Sequence, residues 1–208
     1  MTNADAKYWE ETLEGLRVND PAARDYWSRL EAGYTGVSRH YHNLEHLSTM
    51  FGVLQPLSLE HPWLVRLAVW FHDLIYDIKR KDNEAQSAQA AVAFAEAHGI
   101  PEADRLTLEA LIMSTAGHHP RWDHPDCHAM LDADLAILAM EEEVYDTYAE
   151  NIRKEYASYP RFMYKKGRRK VLRSFLERPQ LYYTPTLRGE WEPRARANLA
   201  RELKQWGG

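Results

Sequence analysis

The sequence contains one cysteine, Cys127, among 208 residues. An intramolecular disulfide is therefore excluded, and a reducing compartment, the cytoplasm, is the expectation. The same scarcity argues against a closed structural zinc site built on thiolates. Long apolar runs are also missing. The most apolar stretch, Trp63 to Phe71, is short and contains Arg66, whereas a membrane-spanning helix needs about 20 apolar residues. The first residues, Met1-Thr2-Asn3-Ala4-Asp5, carry no basic segment followed by an apolar one, so no secretory signal is read there. Nor is there an excess of positive charge. The net charge is −5 and the pI about 6.1, and a general nucleic-acid binder would be basic overall. No alternation of apolar and polar residues marks a strand, and no internal repeat or low-complexity linker is found.

What is present suits a folded helical chain. Hydrophobic residues make up 45% and aromatics 12%, with seven Trp, which is enough apolar material for a core. Apolar residues recur at helical spacing nearly throughout. Asp20 caps a helix that Pro21 opens and that runs to about residue 32, before Gly33 and Gly36. Further helices are expected at about 43–54, 62–77, 83–98, 101–116, 128–140, 141–156, 161–176 and 193–206. Polar loops are expected at 79–82 and 117–126. The predicted fold is all-α, in a single domain covering residues 1–208.

Ten histidines occur, several beside aspartates. His72-Asp73 ends the apolar helix Leu64-Val65-Arg66-Leu67-Ala68-Val69-Trp70-Phe71. Two polar ligand types at the end of such a helix need partners, because an unpaired buried charge is costly. A divalent metal is one such partner. Upstream lies Arg39-His40-Tyr41-His42-Asn43-Leu44-Glu45-His46; with Asn43 opening a helix, His42 and His46 lie about one turn apart. Downstream, Asp134 is flanked by Ala133, Leu135 and Ile137 and faces inward, while Asp132 faces solvent or caps the helix. Taken singly, each residue has an ordinary structural reading. Ordered on successive helices, together they point to a metal site.

This order of His, then His-Asp, then Asp resembles the HD superfamily of metal-dependent phosphohydrolases over about residues 40–138. Tyr41-His42-Asn43-x-x-His46 is similar to the motif of cyclic-nucleotide phosphodiesterases. His72-Asp73-Leu74-Ile75-Tyr76-Asp77 is similar to the His-Asp-x-x-Glu-Asp stretch of alarmone hydrolases, with Tyr76 where Glu would stand. Asn83-Glu84-Ala85-Gln86-Ser87-Ala88 and Leu111-Ile112-x-x-Thr115-x-x-His118 resemble segments of small bacterial HD phosphohydrolases. From Tyr145 onward the chain resembles the tail of a bacterial group described as predicted HD phosphohydrolases. The resemblance implies an HD-type helical bundle with added C-terminal helices, from about 141 to 208.

The resemblance also implies roles. His46, His72, Asp73 and Asp134 would hold one or two divalent ions, Asp73 bridging if there are two. Two His and two Asp suit Mn, Fe, Mg, Co or Zn alike. His42 would protonate the leaving oxygen, and Asp77, one turn beyond Asp73 on the same face, or Glu84 would orient or deprotonate the attacking water. His118 and His119 supply a second metal, bind phosphate, or are plain loop residues. Between 161 and 173 lies a basic cluster interleaved with Phe162, Met163 and Tyr164, with Gly167 breaking the helix or admitting a ligand. It reads either as a solvated helix face or as a phosphate clamp, in which Arg153 and Arg168 are the preferred contacts. The implied substrate is a phosphoester or phosphoanhydride of a nucleotide or small phosphorylated metabolite, with no membrane partner. Nucleic acid is a less favoured partner. Two alternatives stand beside this reading. One is an HD-type di-iron oxygenase, which needs two further His ligands, His118 and His98 being the candidates. The other is a non-catalytic nucleotide- or RNA-binding protein that kept its metal site.

Overall fold

The computed structural model describes residues 3–207. These form helices α1 (Asn3–Gly15), α2 (Pro21–Asp25), α3 (Trp27–Tyr34), α4 (Leu44–Leu54), α5 (Pro62–Phe71), α6 (Asn83–Ala97), α7 (Glu102–Thr115) and α8 (Pro125–Asp134). A short 3-10 helix, Ala136–Ala139, leads into α9 (Glu142–Glu155), α10 (Arg161–Leu176) and α11 (Pro185–Gln205). There is no strand among the described residues, and the fold is all-α as expected. No helix among them is long and apolar enough to cross a membrane.

Local chemistry sets many of the boundaries. The Asp20 carboxylate accepts from the Ala22 N–H and caps α2, with Pro21 in the first turn. The Asn43 side chain accepts from the Glu45 and His46 N–H groups and caps α4. Other boundaries depart from the expectation because tertiary partners claim the backbone. The expected 62–77 helix stops at Phe71. The Asp73 N–H turns to the Tyr34 hydroxyl at 3.3 Å, and the Arg39 guanidinium takes the Asp73 and Leu74 carbonyls at 2.8 and 3.0 Å. The expected 128–140 helix breaks after Asp134. The last helix starts at Pro185 rather than 193 and carries Pro193 inside it. Helix α1 was not anticipated; its polar surface leaves few apolar marks, and it is held by the buried Trp9 and Leu13.

Two hydrophobic clusters share the interior. The first runs in sequence from Trp9 to Ala133 and is centred on α5, whose Leu67, Ala68, Val69, Trp70 and Phe71 are all buried. Helices α1, α4, α6, α7 and α8 pack around it. The second runs from Leu135 to Leu199 and joins the 3-10 helix to α9, α10 and α11. Asp134 stands at the boundary between them. Asp132 was expected at the surface or as a cap. Instead it is fully buried and accepts from the Tyr183 and Thr184 N–H groups at 2.8 and 2.7 Å, tying α8 to the chain before α11. A carboxylate that deep is tolerated because both oxygens are hydrogen-bonded.

Candidate metal centre

The C-terminal end of α5, the start of α4, the end of α8 and the turn after α7 converge on one point. His46 Nε2 and His72 Nε2 are 3.3 Å apart. Asp134 Oδ1 lies 3.3 Å from His46 Nε2 and 3.7 Å from His72 Nε2. Asp73 Oδ2 lies 3.2 Å from His72 Nε2. Nitrogen and oxygen ligands at ordinary bond lengths around one ion stand about 3–3.5 Å from each other, so these donors fit a divalent cation. His46, His72 and Asp134 form a group able to hold one, and Asp73 stands beside it.

The surroundings prepare these atoms for ligation. His72 Nδ1 lies 2.9 Å from the Val69 carbonyl and donates to it, which makes Nε2 the ring atom that faces the cluster. Burial alone would make His72 less basic, but Asp73 and Asp134 outweigh it and raise its pKa to about 9. Burial likewise works against an ionised Asp134, yet hydrogen bonds from His118 and His46 hold its carboxyl well below the ordinary range. Carboxylates that bind a proton this strongly on a neighbouring ring would bind a cation in its place.

His118 joins the cluster from the turn after α7, with Nε2 3.1 Å from Asp134 Oδ2. That turn is strained. Gly117 has φ +100° and His118 φ +54°, a region few side chains adopt. Arg178 holds it by donating to the Gly117 and His118 carbonyls at 2.7 and 3.2 Å. His119, by contrast, is exposed and takes no part in the cluster. The two neighbours divide because the turn aims only one ring inward.

His42 sits just before α4, 4.0 Å from Asp73 Oδ2 through its Nε2. Its Nδ1 lies 2.7 Å from Glu155 Oε2 at the end of α9. Burial would favour the neutral ring, but Glu155, Asp73 and Asp134 together raise its pKa. Glu155 was not anticipated. It is 5% exposed, and also accepts from the Tyr41 and His42 N–H groups and the Tyr76 hydroxyl. Arg39 is a second unforeseen support, donating to the carbonyls of both His42 and Asp73 at 3.0 and 2.8 Å.

No family model, curated protein or solved structure matches this chain. Its chemistry is therefore read from its own geometry.

Several expected residues lie elsewhere. Asp77 is exposed, its carboxylate accepting from the Lys79 N–H. With α5 ended at Phe71, Asp77 no longer shares a helical face with Asp73. Its backbone N–H and carbonyl are clamped by the Asn83 side chain, and Ser87 bonds Ile75 in the same way. The Asn83–Ser87 segment thus shapes the chain after His72-Asp73. Glu84 does line the polar pocket above the cluster, beside Arg80, Lys81 and Thr115.

Arg153 and Arg168, the expected phosphate contacts, are both engaged within the fold. Arg153 donates to the Tyr156 and Tyr159 carbonyls, closing the end of α9. Arg168 is buried and pairs through two nitrogens with Glu202 of α11, both at 2.8 Å. Burial pushes the Glu202 carboxyl up, but Arg168 more than offsets this and holds it low. Gly167 does not break α10. Five other cations of the cluster, Lys165, Lys166, Arg169, Lys170 and Arg173, form a separate outward face. His98 pairs with Asp20 at 2.8 Å, so it cannot serve the cluster as the oxygenase reading requires.

A second group of metal-ligand types, Glu60, His61 and His124, lies near the starts of α5 and α8. His124 Nδ1 accepts the Asp126 N–H, so Nε2 of the neutral ring carries the proton, 3.3 Å from Glu60. That proton occupies the position a metal would need, and these residues read as a capping network.

Proposed function

We propose that this chain is a metal-dependent phosphohydrolase acting on a phosphoester or phosphoanhydride of a nucleotide or small phosphorylated metabolite. The observation that carries the reading is the convergence of His46 Nε2, His72 Nε2 and Asp134 Oδ1, with Asp73 beside them. They stand next to a polar pocket that holds Arg80, Lys81 and Glu84. Two imidazoles and two carboxylates suit Mn, Fe, Co, Zn or Mg. A cation bound there would supply Lewis-acid polarisation of a phosphoryl oxygen and a lowered pKa for its water.

The chain's own groups supply the rest. His42, kept protonated by Glu155 and Asp73, donates its Nε2 proton to the leaving oxygen. Glu84 lines the same pocket, its carboxylate accepting no hydrogen bond among the described residues, and it accepts the proton of the attacking water. His118 orients Asp134 from the opposite side. Lys81 is exposed at the mouth, where it draws in and holds the phosphate.

The test is metal content of the purified protein, followed by phosphate release from a nucleotide panel with Mn, Mg, Co and Fe. Bound transition metal and metal-dependent release support the reading. Bound metal without release points to a non-catalytic binding protein, and no metal at pH 8 removes the basis of the reading.

A further inference from the structure

Two hollows of opposite character adjoin the metal cluster. One, of about 260 Å³, is the polar pocket with Arg80, Lys81 and Glu84. The other, of about 460 Å³, lies between the cluster and helices α9 and α10. Tyr41, Tyr76, Tyr148, Tyr156, Tyr159 and Tyr164 line it. His42, Tyr76, His118, Asp134 and Tyr156 line both, so the two hollows adjoin beside the cluster at Asp134.

The two hollows differ in available charge. In the polar pocket, Arg80 is shared with Asp82, but Lys81 makes no ion pair among the described residues. In the aromatic cavity Arg168 is already taken by Glu202 through two nitrogens, and the His42 ring is already paired with Glu155 at 2.7 Å. An anion placed there would find no free counter-charge and would pay its full desolvation cost. Aromatic faces welcome a flat, neutral ring instead. One polar feature also asks for a ligand. Tyr164 is 6% exposed and its hydroxyl has no hydrogen-bond partner among the described residues. Buried hydroxyls are nearly always satisfied.

We propose that the tyrosine cavity binds the uncharged aromatic group of the substrate, while its phosphate lies on the Lys81 side of the cluster. The substrate class is then a phosphoester carrying a planar ring, such as an aryl group or a nucleobase. The position of the phosphate rests on the phosphohydrolase reading; the aromatic site rests on the cavity alone.

Two non-hydrolysable probes separate these claims. Phenylphosphonate and methylphosphonate carry the same anion, and only the first has a ring. Their binding is measured by calorimetry on the Mn-loaded and metal-free protein. Phenylphosphonate is expected to bind at least about tenfold more tightly than methylphosphonate. Gly167 lines the cavity, and a Cβ built on it meets nothing within 4 Å, so Gly167→Phe brings a ring to the cavity with no clash at its Cβ. Val171→Trp does the same from the next turn of α10. In both variants the preference should collapse toward onefold, whereas Lys81→Ala should weaken both probes by the same factor. Equal affinities in the wild type, or a preference that survives both variants, would overturn the proposal. A ring preference without phosphate release from any substrate would leave the aromatic site standing and remove the hydrolase. Metal-dependent release without a ring preference would do the reverse.

Discussion

The two sides of the centre are built in different ways. On the side of the first hydrophobic cluster, the candidate ligands are short local groups at helix ends: His46 one turn into α4, and His72-Asp73 just past α5. On the side of the second cluster, the contributing groups come one by one from α9, α10 and the turn that Arg178 holds. The first side offers charge and lone pairs for a cation. The second offers aromatic faces, and its charges are already paired, as Arg168 with Glu202. A group of side chains able to hold a cation is thus a property of local sequence, whereas a cavity and the supports of His42 belong to the packing between helices.

The sharpest way to break this comparison is to remove the ligands. His72→Ala combined with Asp73→Ala should reduce metal content from stoichiometric to background, by metal analysis. The helical circular dichroism should stay near that of the wild type, because α5 ends before these residues. A double variant that keeps its metal would show the ligands misassigned.

Next in size is a break on the other side. Glu202→Ala leaves the Arg168 guanidinium buried without its partner. Losing one member of a buried pair costs about 3–5 kcal/mol, to be read from urea unfolding. The folded fraction should still bind metal, since neither residue touches the cluster. Loss of metal affinity in step with stability would show that the two sides are not separable.

Glu155→Gln probes the link between them. It keeps the shape and removes the charge that holds His42, so turnover should fall by about 10- to 100-fold while metal content stays unchanged. A pH signature accompanies it. Burial would raise the Glu155 pKa, but the His42 hydrogen bond and charge lower it from 4.5 to about 2. A carboxyl lowered on folding contributes stability above its unfolded pKa and loses it as the pH falls through the folded value. The wild type should therefore lose about 1.5–3 kcal/mol between pH 4.5 and 2 that Glu155→Gln does not lose. Parallel stability curves for the two proteins would contradict this.

The smallest effect is expected at the turn that aims His118. Gly117→Ala puts a Cβ at φ +100° and should cost about 1–2 kcal/mol of stability, with a measurable loss of metal affinity as His118 and Asp134 shift. A fully neutral substitution would mean that the left-handed backbone there is not needed.

Much of the first side was legible in residue order. Helical periodicity marked most of the elements, and Asp20 and Asn43 cap where a capping residue should. The residues that gather at the cluster were legible because each sits at a helix end beside apolar residues. Asp77 misled because its helical register with Asp73 holds only if α5 continues, and Tyr34 and Arg39 end it through contacts made across the fold. The partners of Arg153 and Arg168 were not legible, because a charged residue in an amphipathic helix looks the same whether it meets a ligand, a backbone carbonyl or a buried glutamate.

Residue order alone therefore established an all-helical chain and the residue types that gather at the cluster. Both depend on spacing within a single turn of helix. Packing alone decided that Glu155 holds His42, that Arg178 aims His118 and leaves His119 outside, and that six tyrosines face one cavity. The Glu155–His42 contact joins positions 113 residues apart, and no local periodicity encodes a pairing at that distance. It exists because burying the apolar faces of α9 to α11 brings the second cluster against the first, and the polar groups stranded along that seam find their hydrogen bonds there.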